Sequence, residues 1–331
     1  MNKIVSGHKR VLATPLFVLV IAATFLLVWL LPEDAGAKSK SARQKAAPQT
    51  TFASPEEAVT ALTEALKTDD RKALLAIFGP GSKQLVASGD RVADKAEREA
   101  FLKSFNENSR LEQVANGSVL CVGTHEYPFP IPIVKKDDRW YYDTKAGTRE
   151  ILDRRIGRNE ISAIQFLHGY VDAQREYVSE DRDIDGKLEF AQRFRSSPDK
   201  RDGLFWEIKE GDKPSPLGPL AAAAAEEGYG KKASAGKRPY HGYYFRILKS
   251  QGPNAPGGAY DYVVSDGMLL GFAAVAYPAR YGVSGIMTFV VNQQGVVLQK
   301  DLGPKTDAIA TAMKAYDPDK TWKEVEKKFA E

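Results

Sequence analysis

The longest apolar stretch of the chain runs from Val11 to Leu31 and contains no charged residue. As a helix rising about 1.5 Å per residue, it would cover about 31 Å, enough to cross the hydrocarbon core of a bilayer. Three basic residues precede the stretch, and Glu33 and Asp34 follow it. Because basic residues favour the cytoplasmic side, this order predicts that the rest of the chain lies outside the cytoplasm.

Two fates of this segment stay open. Ala35, Gly36 and Ala37 are the small residues that a signal peptidase prefers, so residues 1–37 could be cleaved after Ala37 and the remainder secreted to the periplasm. The apolar run is long for a signal peptide, which favours a single-pass inner-membrane anchor with a periplasmic domain. The membrane is then a partner of the N-terminal helix. Residues 38–53 are polar and predict a linker.

After the linker the pattern becomes amphipathic. Ser54 precedes a Pro-Glu-Glu helix start, and apolar residues recur at helical spacing as far as Gly79. A second amphipathic stretch covers roughly residues 95–108. Strand-like runs follow at Gln113–Val122, Tyr127–Val134 and Arg139–Asp143. Helices followed by an antiparallel meander predict an N-terminal α+β domain over residues 54–155, similar to the cone-shaped α+β domains of envelope proteins.

Residues 156–238 are predicted to be a helical region with an acidic loop and a Pro/Ala-rich segment, and helix is expected on both sides of the loop over residues 159–195. Residues 239–331 form an antiparallel, β-rich domain in this interpretation. The predicted strands are Tyr243–Leu248, Asp261–Val264, Leu269–Tyr277, Gly285–Val291 and Val296–Lys300. Helices are predicted over Thr306–Tyr316 and near Thr321–Phe329.

The predicted fold class is therefore α+β. It comprises an N-terminal hydrophobic helix, a small helical and meander domain, and a mainly antiparallel β C-terminal domain with flanking helices.

The acidic loop has the spacing of a calcium-binding loop. Alternate carboxylates on a tight turn can converge on a hard cation that takes about six to eight oxygen ligands, and Gly186 stands where the chain must turn. The candidate ligands are Asp181, Asp183, Asp185, the backbone carbonyl of Lys187, Glu189 and Gln192. Gln192 replaces the usual bidentate glutamate, which lowers the expected affinity or shifts the ligand set to Asp199 or Asp202. The alternative is a solvated acidic turn between helices, and both interpretations stay open.

Composition narrows the function classes. The chain has a net charge of +4 over 331 residues, and acidic residues interleave the basic ones, so no nucleic-acid partner is expected. The single cysteine, Cys121, lies in an apolar run and is interpreted as a buried strand residue. The histidines lack the spacing of a zinc site. No motif for a catalytic nucleophile stands out, and the sequence favours a non-enzymatic role.

Several segments together resemble the DUF2950 family, a group of uncharacterised exported bacterial proteins. The segments are Asp181–Gly186 with Glu189–Gln192, Asp202–Trp206, Ser215–Leu220, Gly242–Leu248 and Tyr281–Phe289. The resemblance covers nearly the whole chain after residue 50. It implies an envelope location, and it supplies no catalytic residues.

The C-terminal third is also similar to the globular sheet of type IV pilin-like proteins. The similarity rests on Gly242–Phe245, Tyr277–Gly285 and Phe289–Val296. No pilin processing site precedes the N-terminal apolar run, and this departure speaks against assembly into a fibre.

The first functional hypothesis is a non-enzymatic cell-envelope protein, calcium-stabilised, whose C-terminal domain binds or assembles with an envelope protein partner. A second hypothesis is a periplasmic hydrolase with its site between the two halves. A third is a small-molecule binder, which would use the N-terminal α+β cone and should show an apolar funnel there.

Overall fold

Four helices open the described part of the chain. They are α1 Pro55–Lys67, α2 Arg71–Phe78, α3 Lys83–Val86 and α4 Arg91–Glu107. The computed structural model describes residues 48–182, 184, 186–208, 211, 213–229 and 238–326, which belong to one compact unit. The predicted apolar segment 11–31 lies outside the described residues. The start of α1 is confirmed, because Ser54 accepts a hydrogen bond from the Glu57 amide as its N-cap.

The first sheet follows α4 and is antiparallel throughout. Its strands are β1 Ser109–Val114, β2 Gly117–Val122, β3 Tyr127–Pro128, β4 Ile133–Lys136 and β5 Arg139–Tyr142. The order is β1-β2-β4-β5, with β3 also paired to β2. The single strand predicted over Gln113–Val122 is wrong, because the two-residue Ala115-Asn116 turn folds this part of the chain into the β1–β2 hairpin. Cys121 is buried in β2, as expected.

Helix α5, Thr144–Tyr177, is 34 residues long and connects the two halves of the fold. It begins earlier than the predicted residue 159, because Asp143 caps it by accepting a hydrogen bond from the Ala146 amide. Close to its start, a β-carbon at Gly147 would lie 2.3 Å from the Pro130 carbonyl oxygen. Only glycine allows the helix to lie this close to the β3–β4 connection.

The helix predicted on the far side of the acidic loop is wrong. Beyond Tyr177 the backbone bonds to neighbouring elements: Phe190 donates to the Met268 carbonyl at 2.9 Å, and Ala191 donates to the Gln174 side chain at 2.8 Å. Gln174 also donates to the Ala191 carbonyl at 2.8 Å. These bonds hold the segment extended, so its apolar residues pack without helical geometry.

The second half contains α6 Gly218–Glu226, four small strands and a larger sheet. The small strands are β7 Ser250–Gln251, β8 Tyr260–Asp261, β9 Val263–Val264 and β10 Gly267–Met268, paired as β7–β8 and β9–β10. The larger sheet contains β6 Tyr243–Leu248, β11 Ala273–Pro278, β12 Met287–Asn292, β13 Leu298–Asp301 and β14 Lys323–Glu324. Its order is β14-β13-β12-β11-β6, all antiparallel.

The predicted α+β class with an antiparallel C-terminal half is confirmed. Helix α7 spans Thr306–Ala312, within the predicted range. The helix predicted near Thr321–Phe329 is wrong in its described part, because β14 pairs with β13 and Val325 donates to the Val297 carbonyl at 3.0 Å. The sheet edge satisfies backbone groups that a helix would otherwise pair.

Two hydrophobic cores lie on either side of the middle of α5. The first is built from α1–α3 and the first sheet, and it includes Leu152 of α5. The second surrounds the larger sheet and includes Leu167 of α5. All six residues of β11 are buried, with Tyr170 of α5 and Thr311 of α7 both bonded to this strand. Within the described ranges, no helix combines the length and apolarity needed to span a bilayer.

Candidate functional site

A cavity of about 990 Å³ lies in the first half, between α4 and the helices and sheet that face it. Its apolar lining comes from every neighbouring element: Leu62, Leu66, Leu74, Phe78, Leu85, Val86, Phe101, Val122, Phe129, Ile131 and Ile151. Phe101 and Phe129 meet edge-on with ring centroids 5.4 Å apart. The lining of this cavity in the N-terminal half is therefore mostly apolar, with aromatic rings on two of its sides.

Helix α4 leaves this space because of the side chains that it presents. Residues 92–94, 96–101 and 104 of α4 line the cavity. Several of these side chains are short and cannot reach the opposite wall, among them Ala93, Ala96 and Ser104. Asp94 is the one fully buried residue of this 17-residue helix, so α4 covers the cavity without packing tightly against its floor.

A buried arginine holds α4 in this position. Arg155 of α5 is 3% exposed and donates to the carbonyls of Gln84 at 2.8 Å and Leu85 at 2.9 Å. The same guanidinium contacts Glu97 of α4 at 3.0 Å, and Arg158 contacts the other Glu97 oxygen at 2.6 Å. The two arginines tie Glu97 of α4 to α5, and Arg155 also satisfies two carbonyl groups of α3.

A polar cluster closes one side of the cavity and joins it to the second half. One oxygen of buried Asp90 caps α4, and the other accepts from the Tyr229 hydroxyl at 2.8 Å and the Gly242 amide at 3.0 Å. Burial and the Asp90 carboxylate raise the pKa of the Tyr229 hydroxyl well above its usual range, which keeps it a hydrogen-bond donor. His241 Nε2 lies 2.9 Å from a Glu227 oxygen, and the His241 amide donates to the Tyr229 hydroxyl.

Segments that suggested the family resemblance meet at this joint. Gly242 has a φ of +73°, and a β-carbon there would lie 2.5 Å from Asn159 Nδ2. Ser284 is fully buried and donates to the Gly242 carbonyl at 2.9 Å, while Asn159 donates to the Ser284 carbonyl at 2.9 Å. The Tyr281–Gly285 turn is thus a structural joint, and the Ser284 hydroxyl is engaged in it.

Sequence reasoning missed this cluster. The residues 88–90 carry a visible helix-capping signal, Ser-Gly-Asp, which accounts for one Asp90 oxygen. The partners of the other oxygen lie more than a hundred positions further along the chain, and no local pattern indicates them.

The structure places the acidic loop at the end of α5. Both Asp181 oxygens accept hydrogen bonds from loop amides, from Ile184 at 2.8 Å and from Gly186 at 2.9 Å. Asp183 and Asp185 lie outside the described residues. The resolved bonds therefore establish a tight turn organised by Asp181.

The remaining loop candidates contact the β9–β10 hairpin region. Gln192 accepts from Lys249 Nζ at 2.8 Å and donates to the Asp266 carbonyl at 2.5 Å. A β-carbon at Gly267 would lie 2.4 Å from a Glu189 carboxylate oxygen, so Glu189 packs against this hairpin. Among the described residues, no group of three or more His, Cys, Asp or Glu side chains is placed to hold a metal ion. Lys187 is half-buried.

Comparison with known proteins supports the family assignment. No curated protein and no solved structure matches the chain, so the pilin-like similarity of the C-terminal third stays a prediction. Residues 49–325 match the family DUF2950, described as "Protein of unknown function". This range contains the cavity, the polar cluster and the acidic loop, and the chain therefore belongs to the DUF2950 family.

Proposed function

We propose that this protein binds an apolar small molecule in the cavity beneath α4. The observation that carries the proposal is the cavity itself, about 990 Å³ in volume and lined by aliphatic and aromatic side chains. Small-molecule sites commonly have volumes of about 300–1,000 Å³ and a mostly apolar lining with a few polar groups. The polar groups of this cavity lie on α4, on α5 and in the polar cluster that contains Tyr229 and His241.

The way the cavity is held also favours a binding role. Protein interiors are close-packed, so a cavity of this size is not a by-product of ordinary side-chain packing. Glu97 connects α4 to Arg155 and Arg158, and Asp90 connects its N-terminus to the second half. These bonds keep the helix from collapsing onto the apolar floor.

Hydrolysis of a ligand bound there is the second candidate function. His241 and Glu227 line the same cavity, and a histidine oriented by a carboxylate can act as a general base. If this role is correct, His241→Gln should abolish turnover of an apolar ester such as p-nitrophenyl decanoate. Equal turnover by the wild-type protein and the His241→Gln variant would reject the hydrolase role.

We also propose that the protein resides in the cell envelope and that a metal stabilises its acidic loop. The envelope proposal rests on the Val11–Leu31 stretch and its flanking charges. Sequencing the N-terminus of the protein from fractionated cells distinguishes the two fates. A mature chain beginning at Lys38 indicates cleavage, whereas an intact N-terminus in the membrane fraction indicates an anchor.

An apolar photoaffinity label tests the binding proposal. The full-length protein is irradiated with an alkyl diazirine that carries a methyl ether head, and labelled peptides are identified by mass spectrometry. Labelling is expected on the peptides that line the cavity. An excess of unlabelled decyl methyl ether should remove it, because a specific site saturates.

A cavity-blocking variant supplies the control. Ala93 lines the cavity and is half-buried, so Ala93→Trp places an indole in the cavity, and labelling should fall at least about 10-fold if the space is filled. Ala222→Trp makes the same substitution at an exposed position of α6 that does not line the cavity, and labelling should be unchanged. Equal labelling of both variants would reject the proposed site.

A further inference from the structure

The arginines that line the cavity all have carboxylate partners, whereas one carboxyl group of the lining is only partly satisfied. The lining includes four arginines, and each has a carboxylate partner within the protein. The pairs are Arg98 with Asp69 at 2.8 Å, Arg154 with Glu150 at 2.6 Å, Arg155 with Glu97 at 3.0 Å, and Arg158 with Glu97 at 2.6 Å. Because every one of these guanidinium groups already has an anionic partner, the cavity does not call for an anionic ligand.

One carboxyl group of the lining shows the opposite pattern. Asp94 is 4% exposed, and its Oδ1 accepts from the Ser88 amide at 2.9 Å. Its Oδ2 is buried and has no hydrogen-bond donor among the residues described by the structure. A buried acceptor without a donor is unfavourable, and the cost is greater for a charged group. Glu97, Glu99 and Glu227 also line the cavity, and each of them has a basic partner within the protein.

Resting on the proposed binding function, we infer that the ligand is an apolar molecule with a hydrogen-bond-donating head, best a primary amine, that donates to Asp94. The alkyl part of such a molecule matches the aliphatic and aromatic floor, and its ammonium group supplies the donor that Oδ2 lacks. A fatty acid would bring another carboxylate to Asp94, in a lining whose arginines are already paired.

A purely structural role for Asp94 accounts for only half of its carboxyl group. The bond from the Ser88 amide explains Oδ1, and an asparagine could accept that bond equally well. The substitution Asp94→Asn therefore preserves the structural bond while it removes the negative charge and one acceptor oxygen. This difference separates a packing role from a ligand-binding role.

Competition for the photoaffinity label tests the inference on the full-length protein. The competitors are decylamine, decyl methyl ether and decanoate, each used below its critical micelle concentration. Decylamine is expected to compete at a concentration about 10-fold or more below that of decyl methyl ether, because one charge-assisted hydrogen bond strengthens binding by about this factor. Decanoate should compete most weakly.

In Asp94→Asn the advantage of decylamine should disappear, while labelling by the methyl ether probe persists and reports that the cavity is intact. Asp172→Asn, an exposed residue of the same helix that carries Arg155, should retain the advantage. Equal competition by amine and ether, or stronger competition by decanoate, would overturn the inference and leave the binding proposal standing. Absence of cavity labelling by the ether probe would overturn the binding proposal itself.

Discussion

Asp90 and Tyr229 lie 139 positions apart in the chain, yet the tyrosine hydroxyl donates to the aspartate at 2.8 Å across the side of the cavity. The same Asp90 side chain caps α4 with its other oxygen. One carboxylate thus fixes the N-terminus of the helix that covers the cavity and joins it to the second half of the fold. The packing of the two halves and the shape of the cavity are therefore coupled through this residue.

Tyr229→Phe should lower the free energy of unfolding by about 1–3 kcal/mol. The substitution removes the hydroxyl that donates to buried Asp90 and accepts from the His241 amide, so both groups lose a hydrogen-bond partner that offsets their desolvation. Urea denaturation monitored by tryptophan fluorescence measures the change. The control is Tyr127→Phe, at a side chain that is 63% exposed, where a change within about 0.5 kcal/mol is expected. Equal effects at both positions would contradict the role assigned to Asp90.

Arg155 and Arg158 offer a comparison in which both residues bind the same Glu97 but differ in burial. Arg155→Ala should destabilise the protein by about 3 kcal/mol or more, because it strands two backbone carbonyls and a half-buried carboxylate. Arg158 is 59% exposed, and solvent screening limits the cost of Arg158→Ala to about 1 kcal/mol or less.

Chemical denaturation of the two arginine variants provides the measurement. A loss of labelling in the cavity of Arg155→Ala at temperatures where the variant stays folded would show that α4 has moved. An Arg158→Ala variant less stable than Arg155→Ala would contradict the ranking by burial.

The fold could be predicted where local chemistry decides the structure. Ser54 and its following Pro-Glu-Glu specify a helix start, and the aromatic and β-branched residues of Tyr243–Leu248 favour a strand, because caps and side-chain preferences act within a few residues. Long-range partners decided the rest. Leu188, Ala191 and Phe194 have helical spacing, but the Gln174 amide takes the Ala191 backbone bonds and holds that segment extended.

The candidate site shows the same division. The small-molecule hypothesis assigned its site to the N-terminal α+β region, and apolar residues of α1, α2 and the first sheet surround a cavity there. The position of Arg155 beneath α4 and the bond between Asp90 and Tyr229 depend on how the elements pack. No spacing within the sequence encodes either relationship.

Gln174→Met should therefore destabilise the protein by about 2–4 kcal/mol. The side chain is fully buried and bonds both the amide and the carbonyl of Ala191, and methionine of similar size leaves both groups without partners. Gln165→Met makes the same change at an exposed position of α5 and should be nearly neutral. Hydrogen exchange of the Ala191 amide gives a local readout, which should accelerate in Gln174→Met only.

The acidic loop gives a prediction about metal binding. Asp181 already shapes the turn through the Ile184 and Gly186 amides, and carboxylate oxygens that accept such bonds keep lone pairs for a cation. Gln192 is bonded to Lys249, so the site lacks the strong twelfth-position ligand of a high-affinity calcium loop. We expect weak binding, with a Kd of about 10⁻⁴–10⁻³ M, the range known for extracellular calcium modules.

Terbium luminescence competed with calcium measures this affinity directly. The double substitution Asp183→Asn and Asp185→Asn should abolish the signal, because a hard cation requires the charged oxygens. The matched double substitution Asp137→Asn and Asp138→Asn changes two aspartates in the β4–β5 turn, where Asp138 is 96% exposed, and should leave the signal intact. Absence of binding at millimolar calcium would reject the metal site and establish the loop as an acidic turn closed by Asp181. Calcium binding that survives the first double substitution would instead place the ligands elsewhere in the chain.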